Sequence, residues 1–166
     1  MAWARAALLG LALAGAIPAA WAGLDSVLPM PASPAYVEEC GACHAAYAPT
    51  YLPARSWHAL MAGLDRHFGT DASLDAETRE RLLGELVALA SDRGRADRFL
   101  TPYLARIAPG ETPLRVSETP FFRFMHDEVP SPIWRRARVA GTANCGACHP
   151  RADQGRYFER EVKIPK

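Results

Sequence analysis

Cys40-Gly41-Ala42-Cys43-His44 and Cys145-Gly146-Ala147-Cys148-His149 are one pentapeptide pattern written twice, and together they hold all four cysteines of the chain. Each reads C-x-x-C-H, the attachment signature for c-type haem. Residues three and four apart share a helical face. On a helix, therefore, the two thiols and the imidazole of each copy point the same way. Two thiols so placed can form thioethers to the two vinyl groups of a single porphyrin, and the histidine beside them can reach its iron. The small Gly-Ala pair between the cysteines lets the backbone lie close to the haem edge.

Zinc sites, redox dithiols and disulfides also use C-x-x-C. A zinc ribbon places its second pair about 15–20 residues after the first, whereas residues 45–144 intervene here. A thioredoxin-like dithiol belongs in a βαβ setting, and the chain shows no such alternation. The repeated histidine favours two covalently bound haem c groups, with Cys40, Cys43, Cys145 and Cys148 as attachment points and His44 and His149 as iron ligands.

The N-terminus supplies an address. Met1 to Arg5 is a short positive start, Ala6 to Ile17 is an apolar run, and Ala20-Trp21-Ala22 is an A-x-A cleavage site. This order is that of a secretory signal peptide, residues 1–22, with the mature chain starting at Gly23. The apolar run is shorter than the roughly 20 residues a membrane span needs, and no later stretch is apolar enough to cross a bilayer. Export to a periplasm agrees with haem attachment in an oxidising compartment. Removing Arg5 with the leader leaves 18 basic and 18 acidic residues. A nucleic-acid binder would be strongly basic, so that class is set aside.

The sequence predicts a mainly α fold, with few or no strands, in two small haem-binding halves. Residues 23–34 read as a linker because Pro29, Pro31 and Pro34 prevent a continuous helix. The N-terminal half is placed at 35–94, a connecting segment at 95–117 and the C-terminal half at 118–166. A short helix over 35–46 is expected to carry the first signature. A second, 55–68, has Trp57, Leu60, Met61, Leu64 and Phe68 in one stripe and Gly69 as its cap. Asp75 reads as the N-cap of a helix to about residue 90, with Leu82, Leu83, Leu86, Val87 and Leu89 inward. A weak helix is expected around 96–107, interrupted by Pro102, with a turn at Pro109-Gly110. Thr119-Pro120 is a cap with proline at the first helical position, opening an aromatic segment to Val129. Thr142 is expected to cap the helix of the second signature, and Tyr157 to Pro165 to be extended.

Each iron has a sixth position, for which His58, His67, His126, Met30, Met61 and Met125 remain. His67 edges an apolar stripe near a helix end. His126 sits among Phe121, Phe122, Phe124 and Met125, which could wall a porphyrin. His58 falls on the wetter flank, and the methionines suit packing. His67 and His126 are therefore the favoured distal ligands. Local pairing joins His44 with His67 and His149 with His126; spacing leaves a crossed arrangement open.

The sequence resembles the small periplasmic diheme cytochromes c of proteobacteria. The resemblance is carried by Glu39-Cys40-Gly41-Ala42-Cys43-His44, Leu52-Pro53-Ala54-Arg55-Ser56-Trp57, His67-Phe68-Gly69, Ser73-Leu74-Asp75, Glu118-Thr119-Pro120, Asn144-Cys145-Gly146-Ala147-Cys148-His149 and Ile164-Pro165. It implies bis-histidine, low-spin haems, an N-terminal half like a class I cytochrome c, and electron transfer without substrate chemistry. His67 and His126 match the family's motifs; His58 does not. Implied partners are other redox proteins, either a membrane b-type cytochrome or a soluble high-spin cytochrome c. The competing classes are a small haem enzyme and a ligand sensor, each needing one open or displaceable axial position.

Overall fold

The computed structural model describes residues 27–93 and 99–166. The expected leader, the start of the expected linker and the proposed division at 94/95 lie outside the described residues. Among the described residues six α-helices are formed: α1 (Pro34–Cys40), α2 (Ala54–Ala62), α3 (Ala76–Ala88), α4 (Thr101–Leu104), α5 (Pro120–Met125) and α6 (Ser131–Trp134), with a 3-10 turn between each successive pair up to α5 and three more after α6. Among the described residues the only β pairing is an isolated antiparallel bridge between His67 and Thr70. The mainly α expectation holds.

The caps explain why several helices start where they do. Asp75 accepts from the Thr78 amide at 2.9 Å and opens α3. Thr119 accepts from the Phe122 amide at 3.2 Å, with Pro120 in the first turn of α5. Both satisfy a helix-terminal N–H that has no partner within the helix.

Several expected spans are shorter in the structure. Helix α1 stops at Cys40, and Gly41 closes it by donating to Val37 O at 2.9 Å. A Cβ on Gly41 would lie 2.2 Å from that carbonyl oxygen, so only glycine lets the chain leave the helix here. The first signature thus begins on a helix and continues through a turn. Helix α2 ends at Gly63, not Gly69: the apolar stripe conceals a residue that favours leaving a helix. The chain continues as a 3-10 turn, Leu64–Arg66, held by the Ala72 amide on Leu64 O at 2.9 Å. Pro102 lies in the first turn of α4 and so opens a helix where it was expected to interrupt one. Asn144, not Thr142, precedes the helical turn of the second signature. The tail contains a 3-10 turn at Glu159–Glu161 in place of an extended segment.

Two apolar clusters form the interior. The first joins Tyr36 of α1, Trp57 and Met61 of α2, and Leu82 and Leu86 of α3. The second joins Leu28, Tyr51, Leu100, Leu104 and Phe121. The stretch 46–52 threads between them: Ala46 and Leu52 bury in the first cluster, Ala48 and Tyr51 in the second. Leu28 crosses to the far end of the chain, where its amide donates to Gly155 O at 2.9 Å. Gly155 has φ +67°, and a Cβ there would stand 2.5 Å from Leu28 O. Close backbone approach in a left-handed conformation requires glycine at that point.

Candidate functional site

The two pentapeptides adopt different local structures. Cys40 ends α1, while Cys43 and His44 lie in the turns that follow, with Cys43 exposed. In the second copy, Cys145–Ala147 is a 3-10 turn. The His149 amide donates to Cys145 O at 2.8 Å, and the Cys148 amide donates to the same carbonyl at 3.2 Å. That helical turn brings Cys145, Cys148 and His149 onto one face, as the spacing predicts. Lys163 from the tail donates its amide to Cys148 O at 2.9 Å and fastens the chain end over this turn.

No two of the four cysteines are joined in a disulfide. Burial pushes the Cys40 thiol up to about 11, helped by the Glu39 carboxylate. Burial also pushes Cys145 up to about 11, and raises Cys148. A redox dithiol works the other way, with its attacking thiol lowered. Among the described residues no three His, Cys, Asp or Glu side chains converge as a metal cluster. The raised thiols count against the redox-dithiol alternative.

The histidines come together in two pairs. His44 and His67 have ring centres 6.2 Å apart with planes 28° apart. His126 and His149 have ring centres 6.1 Å apart with planes 81° apart. A metal–imidazole bond of about 2.0–2.1 Å sets the ring centres of two imidazoles facing each other across one ion roughly 6 Å apart. The spacing and the donor types fit a metal held between two imidazoles at each place, beside a pair of thiols. His58 is exposed on α2 and joins neither pair.

Hydrogen bonds orient one ring in each pair. His44 Nδ1 lies 2.8 Å from Ala45 O, and His126 Nδ1 lies 2.9 Å from Phe122 O. An Nδ1–H donated to a carbonyl leaves Nε2 free to coordinate, the arrangement that ligating histidines usually show. Burial lowers His67, His126 and His149; for His149, where His126 adds to the effect, the value falls to about 4. Near neutral pH these three imidazoles are uncharged, the form that binds a metal.

Sequence reasoning named Phe122 as a wall beside His126 but missed the other aromatic side chains that hold these rings. Phe122 stacks on His126 at 4.1 Å, with Trp134 of α6 at 5.7 Å. Tyr157 from the tail lies 5.3 Å from His149. Tyr47 stacks on His44 at 4.9 Å. The i, i+4 spacing of Phe122 and His126 reveals the first of these; Trp134 and Tyr157 arrive through tertiary packing alone. Arg115 was also missed: its guanidinium stands 3.8 Å over the Phe68 ring, next to His67.

Comparison with known proteins follows this geometry. The family model for dihaem cytochrome c matches residues 36–157. A solved diheme cytochrome c from Rhodobacter sphaeroides is 43% identical, with a TM-score of 0.68, and the match covers 80% of this chain and 100% of that one. DHC purified from the same organism is 41% identical, with a TM-score of 0.58, covering 76% of this chain and 97% of that one. A diheme cytochrome c from Shewanella baltica is 33% identical, with a TM-score of 0.66, covering 82% of this chain and 95% of that one. A search of curated proteins gave no match.

Proposed function

Because the chain belongs to the dihaem cytochrome c family and so carries two covalently bound c-type haems, we propose that it is a periplasmic single-electron carrier whose irons are both bis-histidine and low-spin. When bound, each haem supplies an iron that gains or loses one electron. Cys40 and Cys43 hold one porphyrin; Cys145 and Cys148 hold the other. His44 and His67 ligate the first iron, and His149 and His126 the second.

The observation that carries this reading is the facing of the histidines in two pairs, at 6.2 Å and 6.1 Å. A filled sixth position leaves no site for substrate, which separates a carrier from an enzyme or sensor. Two histidines also give a lower potential than a methionine–histidine pair. The protein's part is to orient the imidazoles through Ala45 O and Phe122 O, and to wall the second site with Phe122, Trp134 and Tyr157. Among the described residues no helix is long and apolar enough to cross a membrane. Its partners are other redox proteins, either a membrane b-type cytochrome or a soluble high-spin cytochrome c. The division into an N-terminal half at 35–94 and a C-terminal half at 118–166 assigns one haem to each.

Absorption spectra of the exported protein, oxidised and reduced, test this with a pyridine haemochrome to count haems. Two c-type haems with low-spin bands unchanged by carbon monoxide are expected. A high-spin band, or one that moves with carbon monoxide, would transfer the reading to a haem enzyme or ligand sensor.

A further inference from the structure

We propose that Tyr47 is a positioning residue that ties the two haem sites together, its ring lying on the His44 imidazole while its hydroxyl holds the backbone that enters the second attachment motif. The inference rests on the axial-ligand reading above and adds to it a residue that neither motif contains. The phenol ring of Tyr47 lies 4.9 Å from the His44 ring, with planes 25° apart. Its hydroxyl donates to Ala143 O at 2.7 Å, across 96 residues of sequence. Ala143 stands two residues before Cys145. The Tyr47 backbone is itself anchored: Tyr36, only 2% exposed in the first apolar cluster, donates its hydroxyl to Tyr47 O at 2.6 Å. The chain on either side of Tyr47 is buried at Ala46 in the first cluster and at Ala48 in the second.

One rigid side chain therefore does two separable things. Its face restrains the rotation of the first site's proximal imidazole. Its tip fixes where the second signature begins. The hydrogen bond lies at the surface and pins the exposed Ala143–Asn144 stretch just before the half-buried Cys145; without it that stretch is free to move away and admit more water to the Cys145 side of the second site. Solvent exposure is one of the levers on haem potential, since water favours the more highly charged ferric state.

Two variants of the holoprotein divide these roles: Tyr47→Phe keeps the ring and removes the hydroxyl, and Tyr47→Leu removes both. Potentials and low-spin EPR g-values are read for each haem, with signals assigned from His67→Ala and His126→Ala proteins. In Tyr47→Phe the first haem's g-values should stay as in the wild type, while the second haem's potential shifts downward. Tyr47→Leu should reproduce that shift and also move the first haem's g-values. Wild-type g-values and potentials in both variants, with no change beyond a lower Tm, would overturn the proposal. If Tyr47→Leu does not load haem, the second haem's potential in Tyr47→Phe decides alone, and an unshifted value refutes the tie. A wild-type protein that is not low-spin at both irons would instead refute the axial-ligand reading, on which this one depends.

Discussion

The two sites share a pentapeptide and differ in almost everything around it. At the first, His67, the proposed distal ligand, sits in an exposed turn. Phe68 beside it has φ +52° and is 46% exposed, in a conformation that costs a bulky residue energy. What steadies that turn is the Arg115 guanidinium over the Phe68 ring and the bridge between His67 and Thr70. At the second, His126 ends a capped helix, bonds through Nδ1 to the preceding turn, and lies among Phe122, Trp134 and His149. The attachment motif is thus the same five-residue pattern in both places, though one copy leaves a helix end and the other forms a 3-10 turn. The proposed distal ligands are set by tertiary packing, which holds His67 in a loop and His126 against an aromatic wall.

Axial substitution probes this difference most severely. His126→Ala should convert only the C-terminal haem to high spin, and His67→Ala only the N-terminal haem, as read by absorption and EPR. Loss of the other haem's low-spin signal in either variant would mean that the histidines are crossed between the irons. The second core supports the second site, so the next largest effect is expected from Phe121→Ala. Phe121 is 6% exposed and packs on Tyr51 and Tyr103. Its truncation should cost about 3–5 kcal/mol in chemical denaturation and disturb the C-terminal haem's spectrum before the N-terminal one's. An equal disturbance of both would show that the two sites are not separately supported.

Arg115→Ala sharpens the contrast from the other side. A cation–π contact at an exposed position contributes about 0.5–1 kcal/mol. Its loss should let carbon monoxide bind a measurable fraction of the reduced first haem while the second stays inert. The smallest effect belongs to Asp75, the N-cap of α3. Its carboxyl is lowered by the hydrogen bond from the Thr78 amide. Because the folded value is depressed, the ionised cap contributes stability above the ordinary carboxylate value of about 4, and this is lost as pH falls through the folded value. Asp75→Ala should therefore lower Tm at neutral pH, and the gap from wild type should close on acidification. A gap that persists below that range would mean that the cap acts without its charge.

Much of this was legible in the chain itself. The signatures, the mainly α class, the Asp75 and Thr119 caps, and His67 and His126 as residues apart from His58 all follow from local rules, because capping and attachment depend on residues only a few positions apart. Helix ends were less legible. A continuous stripe from Trp57 to Phe68 reads as one helix, yet the chain turns at Gly63, since apolar residues can keep facing a core through a 3-10 turn. The same limit hid the end of α1 at Gly41.

What only the tertiary structure decided is which distant side chains meet. Nothing in the sequence around His126 announces Trp134, nothing around His149 announces Tyr157, and nothing near Tyr47 announces Ala143. Nor does the sequence show Leu28 closing against Gly155, more than a hundred residues away. These contacts depend on how two apolar clusters settle around the 46–52 stretch, a packing problem with no short-range signature. The sequence therefore determined that two haems are attached, and it points to four cysteines for them, because that signature is encoded within five residues. The fold decided how His67 and His126 are held, because burial and long-range contact exist only once the chain has folded.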